Sequence, residues 1–343
     1  MKTVLVTGAG GYIGSILVSK LLRKGYRVKA VDRYFFGEDK LPNQENLIKI
    51  REDTRRLKEE IFANVDYVID LVAISNDPSG EAFSETTYQI NHISRVRTAN
   101  IAKRMGVKRY ILPSSCSIYG FQKEKVNENS KTNPLTVYAR ANEKAEKGVL
   151  PLANEDFVVT VIRQSTVFGY SPRMRFDLAI NGMIYGAWKN KKLPLMRDGS
   201  QYRPMVHIQD TTDVMCLLLE INKEKINGEI FNIGGDNLNY QIGELGKIVA
   251  DVVSKKIGSQ IEIEWYGDPD NRSYQVEFSK IKNVLGWKPK WDARKGVEEI
   301  LEKLELGQLE KTTQTITLNW YQELIKWHKI IKNIEKYGGI LEI

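Results

Sequence analysis

The sequence predicts an α/β fold in which helices cover both faces of a doubly wound parallel sheet. Short β-branched segments alternate with longer segments of helical periodicity through the first half of the chain. The earliest β-branched segment, Thr3–Thr7, runs directly into the glycine-rich stretch GAGGYIG, and the next one, Arg27–Val31, leads to Asp32. Alternation of this kind is typical of parallel strands joined by crossover helices, so we expect one continuous sheet.

The composition excludes several classes of protein before any motif is considered. With 343 residues, 42% of them hydrophobic, the chain can bury a core for roughly two domains. The formal charge of +8 is dispersed among acidic residues, which argues against a nucleic-acid partner, and no segment approaches a membrane span. Cys116 and Cys216 show no pairing pattern, which fits a reducing cytoplasm, and His92, His207 and His328 show no metal-ligand spacing.

The glycine-rich stretch lies where a dinucleotide would bind. Thr3–Thr7 predicts a buried strand and Tyr12–Arg23 a helix, which is the context that the dinucleotide fingerprint requires. Gly8 would permit the sharp turn, Gly11 would let backbone NH groups approach a pyrophosphate, and Gly14 would let the helix pack closely on the strand. The stretch therefore predicts a phosphate-binding turn of the Rossmann type.

Asp32 distinguishes between the two nicotinamide cofactors. At the end of the second strand, its carboxylate is placed to accept hydrogen bonds from the adenosine ribose and to repel a 2'-phosphate. We therefore expect NAD rather than NADP. The neighbouring Arg33 is the feature that could instead bind such a phosphate.

The alternating pattern continues without a linker or an internal repeat. Further strands are predicted at Leu47–Arg51, Val65–Val72, Tyr110–Pro113 and Val158–Arg163, and further helices at Thr86–Met105 and Val137–Leu150. We expect a dinucleotide-binding domain over residues 1–170, to which about residues 203–235 return, and a smaller α/β domain over residues 171–310. A helical tail over residues 311–343 carries an apolar stripe within Thr317–Lys336, and we expect it to serve packing rather than function.

Several motifs together carry a family resemblance. They are GAGGYIG at 8–14, Asp32, the pair Asp53-Thr54, SSCSIYG at 114–120 and YARAN at 138–142. With them the chain resembles the extended short-chain dehydrogenases/reductases, and most of all their NAD-dependent nucleotide-sugar epimerases and dehydratases. The likeness extends over about residues 1–300, through RPMVHIQD at 203–210, FNIGG at 231–235 and SKIKNVLGWKP at 279–289.

The resemblance implies a Rossmann domain for NAD, a C-terminal domain that closes over a nucleoside diphosphate sugar, and a homodimer formed through the helices at Thr86 and Val137. It also implies a set of cofactor contacts: Gly8, Gly11, Tyr12, Ile13, Gly14, Asp32, Arg33, Asp53, Thr54, Leu71, Val72, Ala73, Ser75, Tyr138 and Asn142. The implied substrate contacts are Ser75, Asn76, Ser115, Asn181, Arg203 and Arg272. A planar guanidinium suits the two phosphate oxygens of a diphosphate, which supports the two arginines.

The resemblance makes Tyr138 the base that removes a proton from the sugar hydroxyl, with Ser115 as the proton relay. A free phenol has a pKa of about 10, so only roughly one part in a thousand is ionised at pH 7, and a cation must help. The family pattern Y-x-x-x-K supplies a lysine, but here the position is Asn142. Asn142 is either a substitution introduced to trap a complex or a natural residue of a protein that relies on the nicotinamide charge.

A lysine about 4 Å from the phenolate would contribute about 4 kcal/mol at an effective dielectric near 20, so Asn142→Lys is expected to accelerate oxidation about tenfold or more at pH 7.

Cys116 and Ser117 occupy the positions where the sugar 4,6-dehydratases of the family have an aspartate and a glutamate. Elimination by that pair is therefore disfavoured, although a cysteine could still exchange a proton beside a ketone. A small buried side chain at a strand end is the alternative for Cys116. The resulting prediction is an NAD-dependent oxidation at C4 of a nucleotide-diphospho-sugar by an epimerase or 4-dehydrogenase. A catalytically weakened NAD-binding and sugar-binding protein, or a dehydratase that uses Cys116, is the alternative.

Overall fold

The computed structural model describes residues 1–268 and 272–335 of the chain. Its strands are β1 (Thr3–Thr7), β2 (Arg27–Asp32), β3 (Leu47–Arg51), β4 (Tyr67–Asp70), β5 (Arg109–Ser115), β6 (Val158–Gln164), β7 (Thr166–Phe168), β8 (Lys192–Met196), β9 (Tyr202–His207), β10 (Glu229–Ile233), β11 (Asn239–Gln241) and β12 (Glu262–Tyr266). The helices are α1 (Tyr12–Arg23), α2 (Asp77–Ala82), α3 (Ser84–Tyr88), α4 (Arg95–Arg104), α5 (Val137–Val149), α6 (Ala179–Asn190), α7 (Ile208–Glu220), α8 (Ile242–Ile257), α9 (Ser279–Leu285), α10 (Ala293–Glu305) and α11 (Thr317–Ile334).

The central sheet confirms the predicted fold class. Seven strands lie in the order β10-β6-β5-β4-β1-β2-β3, and every neighbouring pair runs parallel. The strand order reverses on either side of β1, which creates the crevice at the carboxyl ends where ligands of doubly wound sheets bind. Strands such as β1 are buried along their whole length, because helices cover both faces.

The helix predicted over Thr86–Met105 consists of three pieces. After α3 the chain makes a π-helical turn over Gln89–Ser94 and then continues as α4. Single π-turns inside helices often mark functional positions, because the extra residue changes which side chains face inward. Here the Asn91 side chain bonds both the NH and the C=O of Ile74, so the turn holds the loop that follows β4.

The second half of the chain forms a smaller layer with its own core. Helices α6, α8 and α10 pack together beside the two-stranded sheet of β8 and β12, around buried Ile184, Leu245 and Ile300. Of the residues expected to return to the first domain, β10 joins the central sheet and α7 packs against α1. Strand β9 instead lies in a three-stranded sheet with β7 and β11, so it does not extend the central sheet.

The tail forms the helix α11 as predicted, but it ends at Ile334, and Lys336 lies outside the described residues. Within residues 1–268 and 272–335, none of the helices combines the length and the apolar content needed to cross a membrane.

Candidate functional site

The turn after β1 and the start of α1 require glycine at two positions. Gly8 has a φ of +64°, and a Cβ there would lie 2.8 Å from the backbone nitrogen of Val72. A Cβ on Gly14 would lie 2.3 Å from the carbonyl oxygen of Gly8, so the start of α1 touches the turn directly. Both approaches exclude any larger side chain, as expected for a turn that brings backbone NH groups up to a ligand.

A cavity of about 650 Å³ opens beside this turn. All the predicted cofactor contacts except Tyr138 and Asn142 line it: Gly8, Gly11, Tyr12, Ile13, Gly14, Asp32, Arg33, Asp53, Thr54, Leu71, Val72, Ala73 and Ser75. The sequence did not predict several further lining residues: Phe35, Phe36, Glu52, Arg55, Ile74, Phe83, Thr86, Ile90, Arg173, Arg175, Thr317, Tyr321, Leu324, Ile325 and His328. The volume lies within the range typical of small-molecule sites.

The acidic end of β2 has the environment expected of a ribose site. Asp32 accepts hydrogen bonds from the backbone NH groups of Gly10 (3.0 Å) and Tyr34 (2.7 Å), and burial raises the pKa of its carboxyl. Arg33 donates to Asp53 over 2.9 Å, and Arg55 contacts the same carboxylate, which lowers the pKa of Asp53. Arg33, which could have bound a 2'-phosphate, is thus paired with the Asp53 carboxylate. This pairing supports the expectation of NAD.

Ser115 and Tyr138 meet at the carboxyl end of β5. Ser115 ends the strand and Tyr138 lies in the first turn of α5. Burial raises the pKa of the Tyr138 phenol, and the neighbouring Ser115 hydroxyl lowers it, so the two side chains lie close together. Thr136 caps α5 by accepting from the backbone NH of Ala139 over 3.1 Å. A Cβ on Gly80 would lie 3.2 Å from the Cβ of Tyr138, so α2 packs directly on this end of α5. The predicted base and relay are therefore brought together by two elements that are rigidly supported.

Asn142 is 1% exposed, and each polar atom of its amide has a hydrogen-bond partner inside the protein. Its Oδ1 accepts from Arg95 Nη1 over 2.9 Å, and its Nδ2 donates to the carbonyl oxygen of Tyr138 over 2.9 Å. Asn142 does not line the cofactor cavity, and its predicted contact with the cofactor stays a prediction. The sequence did not point to Arg95, since the contact joins positions 47 residues apart on two different helices.

Cys116 does not face the site. Its side chain is completely buried within the main hydrophobic core, where the thiol donates to the carbonyl oxygen of Arg163. Burial raises the pKa of the thiol, so the proton exchange predicted for Cys116 is not supported. The backbone NH of neighbouring Ser117 donates to Ser115 Oγ over 3.1 Å, and its own buried hydroxyl has no partner within the described ranges. Ser117 therefore touches the relay residue.

Asn181, which was predicted to bind the substrate diphosphate, is hydrogen-bonded inside the protein. The side chain is fully buried, accepts from the backbone NH of Gly169 (3.2 Å) and donates to Tyr12 Oη (3.2 Å) and to the carbonyl oxygen of Arg175 (2.9 Å). Its amide therefore already has partners inside the protein, and its contact with the diphosphate stays a prediction. The amide fixes Tyr12 against the segment that carries Arg175.

Ser75 and Asn76 are held by a buried ion pair. Arg175 donates to Ser75 Oγ over 3.0 Å and pairs with Asp177 over 2.8 Å, while Asn76 Nδ2 donates to Asp177 over 2.8 Å. Arg175 lowers the pKa of Asp177 to about 2 against the opposing effect of burial. The loop after β4 is thus fixed in place at the mouth of the site.

Arg203 and Arg272 lie together, as the predicted substrate site requires. Arg203 donates to the carbonyl oxygen of Arg272, and Arg272 forms an ion pair with Asp77 at the start of α2. The Arg203 guanidinium also lies 5.7 Å from the ring centre of Tyr274. These positions put both cations beside the loop that carries Asn76.

The model of the NAD-dependent epimerase/dehydratase family matches residues 4–234, a range that contains both the glycine turn and the Ser115-Tyr138 pair. The chain belongs to this family. The comparison with solved structures agrees with the Rossmann-type fold.

Relatives of known name resemble the chain over most of its length. A Bacillus subtilis (strain 168) protein described as the uncharacterized UDP-glucose epimerase YtcB is 27% identical over 310 residues, covering 86% of this chain and 95% of the relative. UDP-glucuronic acid decarboxylase 4 of Arabidopsis thaliana is 27% identical over 305 residues, covering 86% of this chain and 66% of the relative. The structure of MoeE5 in complex with UDP-glucuronic acid and NAD is 26% identical, with a TM-score of 0.79, and covers 89% of this chain and 99% of MoeE5.

NAD is the cofactor of this family member, and the cavity fits it. The glycine turn leaves the space that a Cβ would fill, and Asp32 stands where the ribose hydroxyls are expected. Arg173 adds a buried cation to the lining: its Nε has no partner in the part of the chain that is described. Burial and the nearby Arg175 charge lower the pKa of Arg173 to about 9, so an anion such as a pyrophosphate would stabilise its charged form.

The C-terminal helix lines the cofactor cavity in addition to packing on the fold, which the sequence did not indicate. Tyr321 packs against the rings of Phe35, Phe36 and Phe83, at centroid distances of 6.2, 5.8 and 6.2 Å, and Trp320 Nε1 donates to the carbonyl oxygen of Phe35 over 2.6 Å. The apolar stripe was visible in the sequence, but nothing local indicated what it would cover. In the structure it forms one wall of the cofactor cavity.

We expect Tyr321→Ala to weaken NAD binding about tenfold, a loss of about 1.4 kcal/mol, because the cavity loses the aromatic wall that keeps water out. Calorimetric titration with NAD measures the change. Trp327→Ala on the same helix is the matched control, because Trp327 is 54% exposed and does not line the cavity. Equal affinities for the wild type and Tyr321→Ala would return the helix to a packing role.

Proposed function

We propose that the chain oxidises C4 of a UDP-linked sugar with NAD, using Tyr138 as the base and Ser115 as the proton relay, and acts as an epimerase or 4-dehydrogenase. The observation that carries the proposal is the placement of Ser115 and Tyr138 side by side, at the carboxyl end of β5 and in the first turn of α5, at the sheet edge onto which the cofactor cavity opens. The named relatives act on, or were solved with, UDP-sugars, which supports the nucleotide.

The protein's own groups have three tasks in this reaction. Tyr138 takes the proton of the sugar hydroxyl, either directly or through the neighbouring Ser115 Oγ. Arg203 and Arg272 hold the diphosphate, so that the sugar reaches the Ser115 side of the site. When bound, NAD would supply the acceptor for the hydride that leaves C4, the carbon that carries the reacting hydroxyl.

The fate of the resulting ketone separates the candidate reactions. Elimination is disfavoured, because the only residue in the position of the usual acid is Cys116, whose thiol is buried in the core. Return of the hydride to the other face gives an epimer, and release of the ketone gives a 4-dehydrogenase. A sugar with a carboxylate at C5 could instead lose carbon dioxide from the 4-keto intermediate, a candidate supported by the similarity to UDP-glucuronic acid decarboxylase 4.

Incubation of the protein with NAD and either UDP-glucose or UDP-glucuronic acid tests the proposal. A C4 epimer seen by proton NMR supports the epimerase, accumulation of NADH supports the dehydrogenase, and carbon dioxide with a pentose product supports the decarboxylase. Tight binding of a UDP-sugar with none of these products would contradict the proposal and favour a binding protein that retains the fold.

We expect Arg272→Ala to weaken UDP-sugar binding about tenfold or more and to leave NAD binding unchanged, because the diphosphate would compete with Asp77 for this guanidinium. Separate calorimetric titrations with each ligand measure the two affinities. Arg294→Ala is the matched control, since Arg294 is also an ion-paired arginine of the C-terminal half but bonds Asp251 on α8. A loss of NAD affinity in Arg272→Ala would assign this arginine to the cofactor instead.

The chain is also expected to form a homodimer through the helices at Thr86 and Val137. The π-helical turn between α3 and α4 packs against α5 and leaves Ile93 57% exposed, which supports a partner surface there. Light scattering should give twice the chain mass for the wild type and the chain mass for Ile93→Glu.

The two cysteines are both free and buried, which supports a reducing compartment such as the cytoplasm.

A further inference from the structure

Arg95 is a buried cation on α4 that contacts Asn142, the residue on α5 where the family resemblance leads one to expect a lysine. It is 2% exposed, lies in the first turn of α4, and donates from Nη1 to Asn142 Oδ1 over 2.9 Å. Its Nη2 donates to the carbonyl oxygens of Asp70 (2.9 Å) and Pro113 (2.8 Å), at the ends of two central strands. The guanidinium thus occupies the layer between the sheet edge and the face of α5 that carries Tyr138 and Asn142.

The charge of Arg95 is not cancelled by a direct carboxylate partner. Across residues 1–268 and 272–335, its hydrogen bonds go to two carbonyl oxygens and one amide oxygen, and its Nε has no partner. Arg95 contacts the backbone carbonyl of Asp70, whose carboxyl accepts from the hydroxyls of Thr7 and Tyr110 rather than from Arg95. Burial raises the pKa of the Asp70 carboxyl, and the Arg95 charge opposes this shift.

The other charged groups around Tyr138 are each paired. Asp77 forms an ion pair with Arg272, and Arg175 forms one with Asp177. The opposite charges within each pair largely cancel at the phenol. Among the described residues, Arg95 is therefore the cation acting on the Tyr138 phenol that has no ion-pair partner.

We infer that Arg95 takes over the electrostatic role of the missing lysine, stabilising the Tyr138 phenolate from α4 and through the hydrogen-bonded Asn142. The inference rests on the proposed function, in which Tyr138 is the base. Arg95 contacts neither of the reacting groups directly, so it is a positioning residue. The direction of its effect agrees with the geometry: burial raises the pKa of Tyr138, and the Arg95 charge is the strongest opposing influence.

The pair also explains why an asparagine suits position 142. A lysine there would place an ammonium in a site that is 1% exposed and next to the Arg95 guanidinium, where like charges repel. The amide can accept from Arg95 and donate to the helix backbone at the same time, which a lysine cannot do. Asn142→Lys alone is therefore no longer expected to accelerate the reaction, and Asn142 is consistent with a natural residue matched to Arg95.

The test compares Arg95→Gln, which keeps donors but removes the charge, with Arg95→Lys, which keeps the charge. Single-turnover formation of NADH with a UDP-sugar is followed as a function of pH. We expect Arg95→Gln to be about tenfold or more slower at pH 7 and to shift the midpoint of its pH profile upward by about one unit, with the two rates converging at high pH. Arg95→Lys should retain most of the wild-type rate, and adding Asn142→Lys to Arg95→Gln should restore it.

Arg97→Met is the matched control, because Arg97 is an exposed arginine of the same helix. Its profile should equal that of the wild type. A rate loss in Arg95→Gln that is the same at every pH, with an unchanged midpoint, would overturn the inference and leave Arg95 a structural residue.

A titration that needs no substrate separates this inference from the proposed function. The tyrosinate absorbance of the wild type minus that of Tyr138→Phe reports the ionisation of Tyr138 alone, and the same difference is measured in the Arg95→Gln background. An upward shift of about one unit supports the inference even if no sugar is oxidised, and the absence of a shift contradicts it even if sugars are oxidised.

Discussion

Replacing Tyr138 by phenylalanine is expected to lower the rate of sugar oxidation by about three orders of magnitude, because the hydroxyl proton then has no general base. The affinity for NAD should remain within about twofold, since Tyr138 does not line the cofactor cavity. Single-turnover formation of NADH measures the first quantity, and calorimetric titration measures the second.

Tyr88→Phe serves as the control for the loss of a phenolic hydroxyl near α5. Tyr88 ends α3, and its hydroxyl accepts from Arg140 on α5 over 3.4 Å. Its removal should leave oxidation unchanged. If Tyr138→Phe oxidises the sugar within about tenfold of the wild-type rate, another group removes the proton, and both the proposed function of Tyr138 and the role of Ser115 as its relay fail.

The second large effect is expected at the glycine turn. Gly8→Ala should weaken NAD binding about a hundredfold or more, a loss of about 2.7 kcal/mol, because the new methyl group meets the backbone of Leu71 and Val72 at 2.8 to 3.0 Å. At a φ of +64° the backbone cannot relax into a better conformation without moving the NH groups that approach the pyrophosphate. Calorimetry with NAD, together with thermal unfolding, measures the change.

Gly25→Ala separates backbone strain from the loss of the binding turn. Gly25 also has a positive φ, +82°, but a Cβ there meets nothing within 4 Å. This variant should lose about 1 kcal/mol of folding free energy and bind NAD as the wild type does. Equal NAD affinities of Gly8→Ala and Gly25→Ala would mean that the turn after β1 does not hold the cofactor.

The sequence alone was sufficient for the features that depend on neighbouring residues. The strand at Thr3–Thr7, the helix at Tyr12–Arg23 and the glycines between them follow from side-chain periodicity and backbone sterics, which act over a few residues. Asp32 could be assigned because the end of β2 must lie beside the turn in any right-handed βαβ unit. The fold class and the NAD site were therefore predictable.

The tertiary structure decided every feature that depends on which side chains meet across the fold. Asn142 contacts Arg95 from 47 residues away, and Trp320 contacts Phe35 across 285 residues, so no local pattern could pair them. The same holds for Asn181, whose motif position suggested a ligand but whose hydrogen bonds are used by Tyr12 and Arg175. Local sequence sets backbone conformation, whereas burial and hydrogen-bond partners depend on how distant elements pack, and these partners determine which groups remain free for chemistry.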